Sequence, residues 1–247
     1  MSFYVMSDIH GCFDEFIKML DKIEYTSNDC LILAGDNIDR GDQSFEMVNW
    51  LMEHKSPKTV LLRGNHEEEF IEYVNILNTI QDNISLYDIC EQLYLNTGFF
   101  DLYGTIRYLI KEYNFTIDDL NKWADFFSKM PLLFKKKVGT KRFIVAHAGY
   151  ICSIKGLKYS SNKEFYLYAR EDNFLHGGYE GATIITGHTP TIIESEFSYN
   201  NGDVFKYYNK DKNCTFYDID CGCVFRDKYQ NAKLSCLCLD TEQIYYI

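Results

Sequence analysis

Six side chains with oxygen or imidazole donors stand just beyond short apolar runs. Asp8 and His10 follow residues 3–6, Asp36 follows 30–34, Asn65 follows 59–62, His147 follows 143–146 and His188 follows 182–185. There is no thiolate among them, so the set suits catalytic Mn, Fe or Zn better than a structural zinc. Carboxylates gathered at one place raise each other's pKa, a cost that divalent cations remove. A pair of cations takes about six protein ligands plus water, and the sequence supplies Asp8, His10, Asp36, Asn65, His147 and His188.

The elements that must position these residues are legible. Residues 3–6, 30–34 and 59–62 read as buried strands. Helical spacing follows each one: Phe13, Phe16, Ile17 and Leu20, then residues 44–53, then residues 67–77. Strand, polar turn and helix, three times over, give a βαβαβ pattern with parallel strands. Residues 143–146 and 182–185 are two more strands, and the chain from Cys214 onward alternates in β fashion. If all five apolar strands run in one sense, the five clusters line one edge of a sheet, where α/β proteins build their sites. Residues 78–135 are rich in Tyr, Phe, Asn and Leu and read as a helical insertion or cap, with a helix over 117–130 stopping before Pro131. No linker or repeat divides the chain, so one domain over 1–247 is expected.

The motifs DIHG, GDNIDRG, RGNHE, HAG and GHTP occur in this order between Asp8 and Pro190, with a later IDCG at 219–222. Together they are similar to the calcineurin-like metallophosphoesterases, and within them to serine/threonine phosphoprotein phosphatases of the bacterial and lambda-phage type. The resemblance implies a four-layer α-β-β-α sandwich of two mixed sheets. It implies Asp8 and His10 on one metal, Asp36 bridging, and Asn65, His147 and His188 on the other. It further implies His66 as general acid, Asp39 as its orienting carboxylate, Arg40 as a phosphate-binding residue, and Asn65 at the substrate as well as the metal. Arg170, in LYARED, corresponds to a second phosphate-binding Arg, with Tyr168 where the pattern has Trp. The expected reaction is hydrolysis of phosphoserine and phosphothreonine in proteins or peptides. It uses two divalent ions, Mn2+ first and Fe or Zn as alternatives, and direct attack by hydroxide held between them. No C-x5-R loop suggests a cysteine nucleophile.

Two rivals follow from the same residues. One is a diadenosine polyphosphate hydrolase of this fold; Asp39 in D-R-G weighs towards the phosphomonoesterase instead. The other is a metal-bound scaffold, which has no need of His66. A net charge of −11 excludes nucleic acid and anionic membranes as main partners, since both require clustered Lys and Arg. No apolar run is long enough for a membrane span and no signal peptide is apparent, so a cytoplasmic location with reduced cysteines is expected. The pairs Cys221/Cys223 and Cys236/Cys238 lack the C-x2-C zinc spacing and read as apolar faces of strands. Glu67 to Glu69 read as a solvated first helical turn, with Glu67 also a possible partner of the site. Tyr94, Phe99, Phe100, Tyr103 and Tyr108 read mainly as packing residues that could also wall a substrate groove.

Overall fold

Side-chain alternation along buried strands builds the centre of the molecule. The computed structural model describes residues 1–81, 84–193 and 201–247. In chain order its strands are β1 (Phe3–Met6), β2 (Cys30–Leu33), β3 (Thr59–Leu61), β4 (Leu133–Val138), β5 (Lys141–Ala146), β6 (Ala182–Thr186), β7 (Phe205–Asn209), β8 (Cys214–Asp218), β9 (Ser235–Cys238) and β10 (Ile244–Tyr246). One sheet has the order β10-β9-β1-β2-β3 and the other β4-β5-β6-β8-β7. Both are mixed: β1, β2 and β3 run parallel, as do β5, β6 and β8, while β9, β10, β4 and β7 pair antiparallel at the flanks.

Phe3 and Val5 of β1, Ile32 of β2, Phe143 and Val145 of β5 and Ile185 of β6 meet in one cluster between the sheets. The alternate residues point outward. Tyr4, Met6, Leu31 and Leu33 meet Phe16 of α1 (Phe13–Lys22), Met47 and Val48 of α2 (Ser44–Glu53) and Phe70 of α3 (Asn65–Leu77). On the far side, Ile144, Ile184 and Phe216 pack with Tyr150 and with Phe174 of α8 (Glu171–Leu175), which follows α7 (Asn162–Tyr168). Helix, sheet, sheet, helix is the expected four-layer α/β sandwich. The five motif-bearing strands do not share one sheet edge, however. Three lie in the first sheet and two in the second, because strands with both faces apolar can be covered by another sheet as well as by helices. No helix among the described residues is long and apolar enough to cross a membrane.

The segment 78–135 contributes α4 (Leu86–Thr97), α5 (Thr105–Tyr113) and α6 (Ile117–Ser128); its residues 82–83 lie outside the described residues. Ser85 caps α4 by accepting the Asp88 N–H at 3.1 Å, and Thr116 with Asp119 forms a capping box on α6. Trp123 and Phe127 of α6 pack on Phe70 of α3 at ring separations of 6.0 and 5.3 Å. The α6 helix ends at Ser128 rather than at 130, since Pro131 disfavours helical geometry just before it. The end of the segment is already strand, as β4 starts at Leu133. The Cys221/Cys223 pair also departs from expectation. It lies beyond β8, with Cys221 between the sheets and Cys223 on the outer core, whereas Cys236 and Cys238 share one face of β9.

Candidate active site

The loops that follow the strands are stitched to one another by backbone hydrogen bonds. Asp8 N–H donates to Gly35 O at 3.1 Å, His10 N–H to Asp36 O at 2.9 Å and Gly11 N–H to Asn37 O at 2.9 Å, so the loop after β1 runs beside the loop after β2. Across the sandwich, His188 N–H donates to the Asp8 carboxylate at 2.9 Å and His147 Nδ1 donates to Ala34 O at 3.0 Å. Among the described residues twelve non-glycine positions have positive φ, and six of them are Asp8, His10, Asp36, Asp39, Arg40 and His188. Each such residue costs on the order of 1–3 kcal/mol, and the surrounding hydrogen bonds hold it there. Two glycines are needed for close approach: a Cβ at Gly64 would collide with the Asp36 carboxylate, and one at Gly187 with that of Asp8.

Glu67 organises the first wall. Its carboxylate accepts N–H groups of Asp36 at 2.9 Å, Asn37 at 2.7 Å and Gly64 at 2.8 Å, and the Asn37 amide at 3.1 Å. That ties the β2 loop to the N-terminus of α3, which begins at Asn65, two residues before the expected start. Glu67 is fully buried, and Glu68 is buried against Arg63 and Lys163, so the turn is not a solvated one.

Six proposed ligands converge inside this frame. Asp36 Oδ2 lies 3.3 Å from His147 Nε2 and 3.7 Å from His10 Nε2. Asp8 Oδ1 lies 3.9 Å from His10 Nε2. His147 Nε2 lies 3.0 Å from Asn65 Oδ1 and 3.1 Å from His188 Nδ1. His10 and His147 each donate Nδ1–H to a backbone carbonyl, Ile38 O at 2.9 Å and Ala34 O at 3.0 Å, which leaves both Nε2 atoms facing inward. His10 Nε2 is buried without a partner. Donor atoms facing one another in this way fit cations. Two triads satisfy the geometry, His10–Asp36–His66 and Asp36–His147–His188, and Asp36 is common to both. The second group joins the expected ligands His147 and His188 to Asp36, whereas the first joins His10 to His66, the expected acid, and not to Asp8. Asp8 flanks the first group.

Without cations, protons take over part of the charge balance. Burial opposes a proton on His147, yet the Asp36 carboxylate outweighs it and holds the group at about 9; His66 also stands at about 9, with Asp36 and Asp39 overcoming burial. Burial and their cationic imidazole neighbours push His10 and His188 well below the ordinary value. A cation at His147 must displace its proton. Apparent metal affinity therefore rises as pH increases from 6.5 towards 9, by up to about tenfold per unit for each proton displaced. Manganese titration calorimetry at several pH values, in buffers of different ionisation heat, measures both affinity and proton release. A flat profile would remove His147 from the ligand set.

His66 Nδ1 meets Asp39 Oδ2 at 2.6 Å, and its Nε2 lies 3.7 Å from Asp36 Oδ2, so the ring is oriented from behind and its reactive nitrogen faces the centre. Arg40 lies beside it. Its guanidinium stands 5.1 Å from the ring centre of Tyr103 and 5.7 Å from that of Phe225 and donates to the Tyr103 hydroxyl at 3.4 Å. Arg170 stands by His188, donating to His188 O at 3.3 Å and Thr189 Oγ1 at 3.4 Å, with the Tyr168 ring 6.4 Å from that of His188. Every expected site residue is therefore brought to this place.

Other residues there carry no role in the sequence reading. Phe225 comes from a short 3-10 turn at Cys223–Phe225. Asp218 and Asp220 are buried beneath the site, and both carboxyls are driven well above their usual range, Asp218 by burial first and then by Asp220 and Asp8, Asp220 by burial first and then by Asp8 and Asp36. Ser7 donates to Asp8 Oδ2 at 2.5 Å. The D-I-D-C-G spacing was the available signal for the two acids. Ser7 is the chain neighbour of Asp8, whereas Phe225 has no local signal, because only the fold brings it to the site.

The sequence pattern of the family described as "Calcineurin-like phosphoesterase" matches residues 1–221. The chain belongs to that family. Calcineurin-like phosphoesterases are hydrolases with a dinuclear metal centre, and the two triads sharing Asp36 are candidates for it. A protein from Wigglesworthia glossinidia brevipalpis named "Bis(5'-nucleosyl)-tetraphosphatase, symmetrical" is 32% identical over 152 residues, covering 61% of this chain and 46% of that protein. The matched stretches in relatives of this name span from 24% to 46% of their length. In structure, a protein described as a "putative diadenosine tetraphosphatase" superposes with a TM-score of 0.58 at 18% identity, covering 100% of this chain and 92% of the other. A serine/threonine phosphatase from Saccharomyces cerevisiae reaches 0.59 at 14% identity, covering 97% and 72%. At such identities the structures speak for the fold alone, whereas the sequence relatives divide the substrate classes. They overturn the expectation of a serine/threonine protein phosphatase acting on phosphoprotein. The physical reason is that the metal, acid and Arg motifs, in the roles the resemblance implies, all address a phosphoryl group, and both classes have one. Asp39 positions His66 and says nothing of what departs.

Proposed function

We propose that this chain is a metal-dependent hydrolase of bis(5'-nucleosyl) polyphosphates that cleaves a tetraphosphate at its centre. The observation that carries the reading is the 32% identity over 152 residues to a relative of that name. Symmetric cleavage breaks the middle P–O–P bridge and leaves two nucleoside diphosphates. Two divalent cations, manganese in our proposal, supply Lewis acidity towards the phosphoryl oxygens and acidify water. Asp8, His10, Asp36, Asn65, His147 and His188 hold them. Arg40 and Arg170 grip non-bridging oxygens through charge-assisted hydrogen bonds and keep a polyanion at the centre of a chain of net charge −11. Asn65, whose Nδ2 donates to Glu69 at 3.3 Å, offers that amide to the same phosphoryl group. His66, oriented by Asp39, delivers a proton from Nε2 to the departing oxygen.

The test is a side-by-side measurement with manganese-loaded protein on diadenosine tetraphosphate, p-nitrophenyl phosphate and a phosphothreonine peptide, with products separated by chromatography. The expected result is the highest kcat/KM for the dinucleotide, ADP as the sole product, and loss of turnover after EDTA. Faster cleavage of the peptide, or ATP and AMP as products, would overturn the reading.

A further inference from the structure

The turn between α4 and α5 presents apolar side chains to solvent beside the catalytic centre, and its backbone is built to keep them there. Phe99 is 72% exposed, Leu102 48% and Tyr103 42%. The residues between them are anchors. Phe100 is buried against Tyr73, with ring centres 5.0 Å apart, and the Tyr73 hydroxyl donates to Phe99 O at 2.9 Å. Asp101 is buried, and its carboxylate accepts the N–H groups of Ile106 and Arg107, both at 2.9 Å, and Arg107 Nε at 3.1 Å. Gly104 N–H closes the turn on Asp101 O at 2.8 Å. The remaining aromatics of this region do pack: Tyr94 lies under Arg107 at 4.1 Å, and Tyr108 meets Tyr113 with ring centres 5.8 Å apart. A hydrogen-bonded turn that buries Phe100 yet leaves Phe99, Leu102 and Tyr103 between 42% and 72% exposed keeps apolar surface in water, which marks a binding surface.

Tyr103 joins this surface to the chemistry. Its ring centre is 4.9 Å from that of His66, and its hydroxyl accepts from Arg40. His66 is the proposed proton donor to the departing oxygen, so Tyr103 stands on the side from which the leaving group departs. Resting on the reading above, that leaving group is a nucleoside diphosphate, whose base offers a flat face for stacking.

We infer that the turn bearing Phe99, Leu102 and Tyr103 is the nucleoside subsite of this enzyme, taking the base of the departing nucleoside diphosphate on an aromatic and aliphatic platform. Its selectivity is for a base of any kind, because every base has a π face while the turn's exposed side chains include only the Tyr103 hydroxyl as a hydrogen-bonding group, and that is engaged by Arg40.

Calorimetric titration of the manganese-loaded full chain with ADP and, separately, with inorganic pyrophosphate tests this, since pyrophosphate has the anhydride without the nucleoside. In the Phe99→Ala/Leu102→Ala double variant, whose altered side chains are exposed and leave the anchoring backbone bonds in place, the Kd for ADP rises about tenfold, as truncation of a stacking partner does. Pyrophosphate binding holds its wild-type value. If both ligands weaken together, or ADP binding does not change, the subsite is overturned. The substrate reading is judged separately: selective loss of ADP binding in the variant upholds the subsite even if the wild type fails to cleave diadenosine tetraphosphate, and cleavage upholds the reading even if ADP binding in the variant is unaltered.

Discussion

Asp36→Asn lowers kcat/KM by about a thousandfold, because it loosens the cations that would stabilise transition-state charge, and reduces metal content below two ions per chain. Asp36 is the carboxylate shared by both candidate triads, with Oδ2 at 3.3 Å from His147 Nε2 and 3.7 Å from the Nε2 atoms of both His10 and His66. Asn matches its shape, so Oδ1 can still accept the His66 N–H, now at 3.0 Å, and the loop keeps its hydrogen bonds to Glu67. What the variant lacks is the charge. In the metal-free protein that charge is also what raises His66 and His147 to about 9 against burial, so in the variant both imidazoles titrate lower. Metal analysis of dialysed protein, beside turnover and NMR titration of the imidazoles, reads all three effects. Full occupancy of both metals with near-normal turnover would rule out Asp36 as the shared ligand.

With His66 as the acid, Asp8 and His10 still serve the first cation beside Asp36, so His66→Asn keeps both metals, and its cost depends on what departs. General acid catalysis contributes about 10²–10⁴ where the leaving oxygen needs a proton. An alkyl phosphate such as glycerol phosphate expels a strongly basic alkoxide, and there the full loss is expected. A nucleoside diphosphate leaves through a phosphate oxygen whose conjugate acid titrates near pH 6, as second phosphate ionisations do. For the dinucleotide the loss is therefore about tenfold, since a weakly basic oxygen gains little from proton delivery. Asp39→Asn weakens the 2.6 Å contact that orients the ring and shows the same ranking of substrates with a smaller loss. Rates for glycerol phosphate and the dinucleotide with metal content held constant provide the measurement. An equal loss on glycerol phosphate and dinucleotide would mean that His66 does not act as the acid.

Much of this site is legible without coordinates. Strands β1, β2 and β5 announce themselves by short continuous apolar runs, and each ends at a cluster of Asp, Asn or His because a loop beyond a buried strand is where polar side chains can reach water or a ligand. Spacing within each cluster is local, so Asp8 with His10, Asn65 with His66 and the Asp39–Arg40 pair needed no tertiary knowledge. Positive φ at Asp8, His10 and Asp36 is not legible in the same way, because only the hydrogen bonds from neighbouring loops make that strain tolerable.

The sequence by itself determined the phosphoesterase family, because contiguous motifs encode it, and the resemblance carried by those motifs implied the four-layer class and the expected donor atoms. Tertiary structure alone decided how the clusters meet. The strands divide between two sheets, so His147 and His188 approach Asp36 across the sandwich rather than along one edge. Glu67 leaves solvent to hold four N–H groups of two loops, and Tyr103 reaches Arg40 across 63 positions of chain. The physical reason is common to all three. Burial and long-range hydrogen bonds depend on which surfaces come together, and no local pattern of residues records that.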